Sequence, residues 1–118
     1  MSKLILLGLG LTGWNSLSLE GVNLIKSAVK VYLEDYTSPV SVNLKKDLEK
    51  ITGKKIEVAS REFIEDGREI IKESRQGNIV LLSYGDPMAA TTHMDLRVRA
   101  AKEGVETRVI HNASIMTA

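Results

Sequence analysis

Two stretches, Lys3-Leu4-Ile5-Leu6-Leu7 and Ile79-Val80-Leu81-Leu82, constrain this chain more than any other feature. Each holds an unbroken apolar run of strand length, the first stopping at Gly8 and the second leading into Ser83-Tyr84-Gly85-Asp86-Pro87. A strand with one wet face alternates apolar and polar residues. A strand covered on both faces does not, and such strands belong to parallel sheets with helices on either side. In open sheets of that kind, ligands sit just beyond the carboxyl ends of the strands. The Gly-Asp-Pro turn would therefore deliver one carboxylate to a sheet edge.

The rest of the chain supplies what such a sheet needs. Ser18 reads as the N-cap of a helix to about Ala28, with Val22, Ile25 and Val29 at helical spacing. Val29-Lys30-Val31-Tyr32-Leu33 alternates, which predicts a second, less buried strand ending at Glu34-Asp35-Tyr36. After the break at Thr37-Ser38-Pro39, a polar helix runs from about Val42 to Ile51 and closes on Gly53. Ile56–Ala59 is a short third strand, and Ser60 caps a helical stretch to about Arg75, with Gly77 as its stop. Gly67 inside that stretch weakens it and can split it in two. Ile79–Leu82 is the fourth strand; Thr91 or Thr92 caps a helix to Glu103, ended by Gly104; Thr107–His111 is the fifth. Strands separated throughout by helices give the expected fold: an α/β domain with a mainly parallel five-stranded sheet flanked by helices.

Composition narrows the class. At 118 residues the chain is one domain, and 43% hydrophobic with 26% charged residues is ordinary for a soluble globular protein. A formal charge of +1 offers no field to steer nucleic acid or a membrane surface. There is no cysteine, which removes disulfides and thiolate metal sites and makes a cytoplasmic setting the expectation. Two histidines far apart give no metal site, and no Ser/His/Asp pattern stands out. Asn112-Ala113-Ser114 reads as a turn and N-cap followed only by Ile115-Met116-Thr117-Ala118. So short a segment cannot sustain a helix, so the expectation is that a longer protein continues the element.

Several residues have two readings. Gly8-x-Gly10-x-x-Gly13 matches the dinucleotide fingerprint, with Glu34 or Asp35 near the distance of the ribose-binding acid, which makes an NAD(P)-binding Rossmann domain the rival. Against it, the fingerprint helix opens within its glycines, whereas Trp14-Asn15-Ser16 intervenes here before the cap at Ser18. Asp86 is a ligand contact or a turn carboxylate capping its own backbone. Thr91-Thr92-His93 could hold an anionic group at a helix N-terminus or serve simply as a cap. His111 is a base or a hydrogen-bonded strand end. Trp14 flanks a ligand or covers the sheet edge, and Arg97, Arg99 and Lys102 read as the solvated face of their helix.

Three collinear segments, Gly8-Leu9-Gly10-Leu11, Gly85-Asp86-Pro87-Met88-Ala89-Ala90-Thr91-Thr92-His93 and Val109-Ile110-His111-Asn112-Ala113-Ser114-Ile115, resemble the diphthine synthase family, with Tyr32-Leu33-Glu34-Asp35-Tyr36-Thr37-Ser38 between them. These are diphthamide-pathway methyltransferases of the tetrapyrrole-methylase superfamily. The resemblance implies two α/β domains, of which residues 1–118 would be the N-terminal, cofactor-binding one and the C-terminal domain would be absent here. It further implies S-adenosyl-L-methionine as cofactor, bound through Leu11, Asp86, Ala89, Ser114 and Ile115. The substrate implied is the modified histidine of translation elongation factor 2, methylated at its amino group by a homodimeric enzyme. The family pattern assigns no catalytic acid or nucleophile.

Overall fold

The computed structural model describes residues 3–8, 19–34, 39–83 and 91–110. In chain order these form β1 (Lys3–Gly8), α1 (Leu19–Ser27), β2 (Lys30–Glu34), α2 (Pro39–Thr52), β3 (Ile56–Ala59), α3 (Arg61–Asp66), α4 (Arg68–Ser74), β4 (Ile79–Ser83), α5 (Thr91–Lys102) and β5 (Glu106–Ile110). The strands make one sheet in the order β3-β2-β4-β1-β5, and every described pairing is parallel. The expected five-stranded parallel α/β fold is the one observed.

The continuous apolar runs explain the middle of the sheet. Ile79, Leu81, Leu4 and Leu6 point to one face, where they pack with Tyr32 against Ile64 of α3, Ile70 and Ile71 of α4, and Leu96 and Ala100 of α5. Val80, Leu82, Ile5 and Leu7 point to the other, against Ile25 of α1 and Leu48 of α2. Two helical layers therefore cover the sheet. The connections from β1 through β3 run one way along the sheet and those from β3 through β5 run back. Right-handed crossovers then place α1 and α2 on one face and α3, α4 and α5 on the opposite one.

The second strand differs from expectation. It is an interior strand between β3 and β4, and Val31, Tyr32 and Leu33 are all buried. Its apparent alternation rests on Lys30, at the strand's start, and Tyr32, whose ring packs against Phe63 at 5.3 Å between centroids. Val29 does not belong to the α1 face either. The helix stops at Ser27, and Val29 is 70% exposed, its N–H donating to the Asn78 carbonyl at 2.9 Å as the chain turns into β2. The helix expected from Val42 starts instead at Pro39, since proline's fixed φ suits a first helical turn.

Other local expectations hold. Ser60 has extended backbone, and its hydroxyl accepts from the Phe63 N–H at 3.1 Å, capping α3. Gly67, at φ +69°, splits the helical stretch into α3 and α4. A side chain there would be strained in that conformation and would stand 2.7 Å from Leu96 Cδ1. Arg97 and Arg99 are more than a solvated face. The Arg99 guanidinium donates to the Glu65 and Asp66 carbonyls at the end of α3, and Arg97 Nε donates to Thr107 Oγ1 on β5 at 3.3 Å. Carbonyls left open at a helix C-terminus attract such donors, which is a specific role the spacing of cations does not reveal.

Urea unfolding should rank three substitutions accordingly. Leu81→Ala, in the most covered strand, is expected to lose about 2–5 kcal/mol. Gly67→Ala should lose about 1 kcal/mol or more through its left-handed backbone. Val98→Ala, on the open face of α5, should stay within about 0.5 kcal/mol of the parent.

Candidate functional site

Because the strands are parallel, their carboxyl ends share one edge. β1 lies between β4 and β5 there, with Gly8 paired to Ser83 and Leu7 to Ile110. The segments 9–18, 84–90 and 111–118 thus depart from three neighbouring strand ends. β4 continues into α5 on one face of the sheet, and its neighbour β1 continues into α1 on the other. Where adjacent strands send their chains to opposite faces a crevice opens, and that is where open α/β sheets bind ligands. Leu11, Asp86, Ala89, Ser114 and Ile115 all lie outside the described residues, as do Trp14, His111 and the side chain of His93.

What the described residues add is the end row of the sheet. Glu34 pairs with Ala59, Gly8 pairs with Ser83, and Leu33 pairs with Leu82 one step earlier, so Ala59, Glu34, Ser83 and Gly8 stand side by side. All four positions face the α3–α5 side. Among the described residues, the buried polar ones are Glu34, Thr52, Ser74 and Ser83. Thr52 Oγ1 donates to the Leu48 carbonyl at 2.6 Å and Ser74 Oγ to the Ile71 carbonyl at 2.8 Å, so those two complete their own helices. Glu34 and Ser83, 7% and 2% exposed, end two adjacent strands and also have partners of their own. Sequence reasoning gave Glu34 only the ribose-binding role of the rival reading, and Ser83 none. The available signal was a polar residue closing an apolar strand.

A second polar cluster lies on the flank of the sheet. Tyr32 Oη donates to Glu73 Oε1, Lys30 Nζ donates to Glu73 Oε2 at 2.9 Å, and the same ammonium lies 3.4 Å from Glu57 Oε2. Burial, reinforced by the bond to Glu73, pushes the Tyr32 phenol up to about 12. The hydrogen bond to Glu73 leads in holding the Lys30 ammonium above its ordinary range. Lys30, Tyr32 and Glu57 border a cavity of about 340 Å³ beside Val58, Ser60, Phe63 and Glu69. It opens along the edge strand β3 rather than at the convergence of β4, β1 and β5, so we assign the cluster to fastening β2 onto α4. No described helix is long and apolar enough to cross a membrane.

The chain belongs to the Tetrapyrrole (Corrin/Porphyrin) Methylases, matching that family over residues 3–118. It is similar to the diphthine methyl ester synthase of Homo sapiens, 44% identical over 116 residues that cover 98% of this chain and 40% of that protein. The diphthine synthase of Methanocaldococcus jannaschii is 41% identical over 116 residues, covering 98% of this chain and 45% of its own. A solved crystal structure of diphthine synthase superposes with a TM-score of 0.88 at 36% identity, over 98% of this chain and 46% of the other. The chain thus spans less than half the length of these relatives. The family resemblance read from the three motifs is borne out. Strand order also counts against the dinucleotide reading. That fold sets β2 beside β1, so that its acid meets the glycine loop, whereas here β4 stands between them.

The Tyr32 phenol has a measurable consequence. A folded-state value raised from 10.0 to about 12 adds stability that is complete below pH 10 and is lost as pH climbs toward 12. Denaturant titrations of the chain should show that alkaline loss. Tyr32→Phe should remove much of it and cost about 1.5–3 kcal/mol at neutral pH, the worth of a hydrogen bond to a charged group.

Proposed function

We propose that the chain is the cofactor-binding half of an S-adenosyl-L-methionine-dependent methyltransferase of diphthamide biosynthesis, a diphthine synthase whose second domain lies in the remainder of a longer protein. The observation that carries this reading is the adjacency of the β4, β1 and β5 ends in a chain of the methylase family. Each proposed contact follows one of those ends closely: Leu11 after Gly8, Asp86 and Ala89 after Ser83, Ser114 and Ile115 after Ile110. At no more than about 3.3–3.6 Å per residue, chain length alone keeps Leu11 and Asp86 within about 11 Å of the edge. The described part of the edge suits such a cofactor. Gly8 presents no side chain beside Ser83, so a nucleoside could approach the backbone there more closely than beside a bulkier residue.

When bound, S-adenosyl-L-methionine supplies a methyl group activated by a sulfonium. The chain's own work is positioning. Asp86 accepts hydrogen bonds from cofactor hydroxyl or amino groups, and the segment around Ser114 offers backbone groups across the crevice. Strands β4 and β5, on either side of β1, fix the points from which the two segments depart. Alignment of this kind can supply about 7–11 kcal/mol of a displacement barrier, with no acid or nucleophile required. A dry crevice also favours the unprotonated amine that such a reaction consumes.

The substrate in this reading is the amino group of the modified histidine of translation elongation factor 2, and the enzyme works as a homodimer in the cytoplasm. Neither nucleic acid nor membrane is a partner, in keeping with the small net charge. Methylation of the elongation factor by the intact enzyme is the direct assay. In a thermal-shift screen S-adenosylhomocysteine should stabilise the protein and NAD should not; the reverse result would restore the dinucleotide reading. Calorimetry on the 118-residue chain should give only weak cofactor binding and no turnover, because half the cleft is supplied elsewhere. Tight binding by the chain alone would sink the shared cleft. Asp86→Ala in the intact enzyme should raise the dissociation constant about tenfold or more, for loss of a charge-assisted hydrogen bond.

A further inference from the structure

The strand β3 ends the sheet, and among the described residues no strand pairs with its outer side. Which of its amides face outward follows from one contact. The Ile56 N–H turns away from β2 and donates to Glu49 Oε2 at 2.9 Å. Successive residues of a strand direct their amides to opposite sides, so Val58 also presents its N–H and carbonyl outward, while Glu57 and Ala59 bond β2. An open strand edge is a template for another chain. Glu49 blunts the start of this one and leaves the part around Val58, which is 46% exposed. The cavity of about 340 Å³ lies against the same stretch.

The chemistry of that cavity selects what enters it. Lys30 is its cation, already engaged by Glu73 at 2.9 Å, whereas Glu57 and Glu69 line it together with the Phe63 ring. An excess of carboxylates beside an aromatic wall attracts an Arg or Lys side chain. A second copy of this chain suits the edge poorly. Antiparallel pairing of β3 with its own copy, Val58 opposite Ile56, sets Glu57 against Glu57, and like charges directly opposite destabilise a sheet.

We propose that the outer edge of β3 and this cavity form a docking site for an extended basic segment of another protein, added as an antiparallel strand. One residue of the segment exchanges both backbone hydrogen bonds with Val58. Ile56 and Ala59 belong to the cores on opposite faces, so Glu57 shares the α3 face with Ala59. The residue of the segment opposite Glu57 points to that same face and carries an Arg or Lys side chain into the cavity. Its stem packs on Phe63 and its charge meets Glu57 and Glu69. β2 and β4 separate this edge from β1, so the site lies apart from the cofactor crevice and does not depend on the methyltransferase reading.

The probe is the capped peptide Thr-Val-Arg-Val-Thr, fluorescently labelled and titrated with the intact enzyme by anisotropy. It should bind below about 1 mM, less tightly as salt rises, and Thr-Val-Glu-Val-Thr should not bind. N-methylation of both valines removes the donor to the Val58 carbonyl and should abolish binding. Glu57→Gln combined with Glu69→Gln should weaken the peptide about fivefold and leave S-adenosylhomocysteine affinity unchanged. Val58→Pro, tolerated on an edge whose N–H faces outward, should lose the peptide as well. An Arg peptide that fails to bind the unsubstituted enzyme overturns the site, whether or not the variants fold. Equal binding of the Glu peptide overturns the basic occupant, and equal binding of the N-methylated one overturns the strand pairing. Displacement of the peptide by S-adenosylhomocysteine would move it to the crevice, and a dimer that Val58→Pro dissociates would give the edge to a second copy; either result also overturns the proposal.

Discussion

Because Leu4–Leu7 and Ile79–Leu82 are apolar on both sides, neither strand can present a face to water, and each must be roofed twice. Pairing them with one another, Leu4 to Ile79 through Gly8 to Ser83, concentrates that demand in the centre of the sheet. Full burial of each large side chain is worth about 1.5–3 kcal/mol, so this pair of strands holds a large share of the stabilising area. The demand then fixes what surrounds it. β2 and β5 have to flank the pair, and helices have to lie on both faces, α1 and α2 on one and α3 to α5 on the other. Inserting β4 between β1 and β2 has a further effect at the carboxyl edge. It sets the end of β4 beside the end of β1, and it separates the end of β1 from the acid at the end of β2.

How much of this could be read beforehand depended on whether a property is local. Gly67 and Ser60 act within one turn of chain, and their roles as splitter and cap were legible from residue type alone. The runs in β1 and β4 were legible because continuous hydrophobicity has a single explanation at strand length. β2 was misjudged because Tyr32 counts as half polar in an alternation pattern, yet its ring packs like any core side chain while its hydroxyl reaches Glu73. Arg99 was misjudged for a related reason. Its carbonyl partners lie on α3, more than thirty residues away in sequence, and helical periodicity carries no trace of them. Lateral strand order was not legible either, since apolar patterns specify burial and leave neighbours open.

The candidate site divides along the same line. Asp86 was singled out by the buried strand and Gly-Asp-Pro turn that carry it, and Ser114 by motif resemblance, because loop residues follow no periodic pattern; both remain proposals. Glu34 sat inside a recognised motif, yet its separation from solvent and its place beside Ser83 emerge only from the sheet register. A polar residue that ends a strand is unremarkable in sequence. The register adds that the neighbouring strand also ends in a buried polar residue.

Strand order also has a physical consequence at the strand ends. β4 lies between β1 and β2, and the pairing of Leu33 with Leu82 fixes how far the end of β2 stands from the end of β4. A parallel sheet is well suited to holding such positions, because its inter-strand distance is fixed by backbone hydrogen bonds and transmits directly to whatever the strand ends carry.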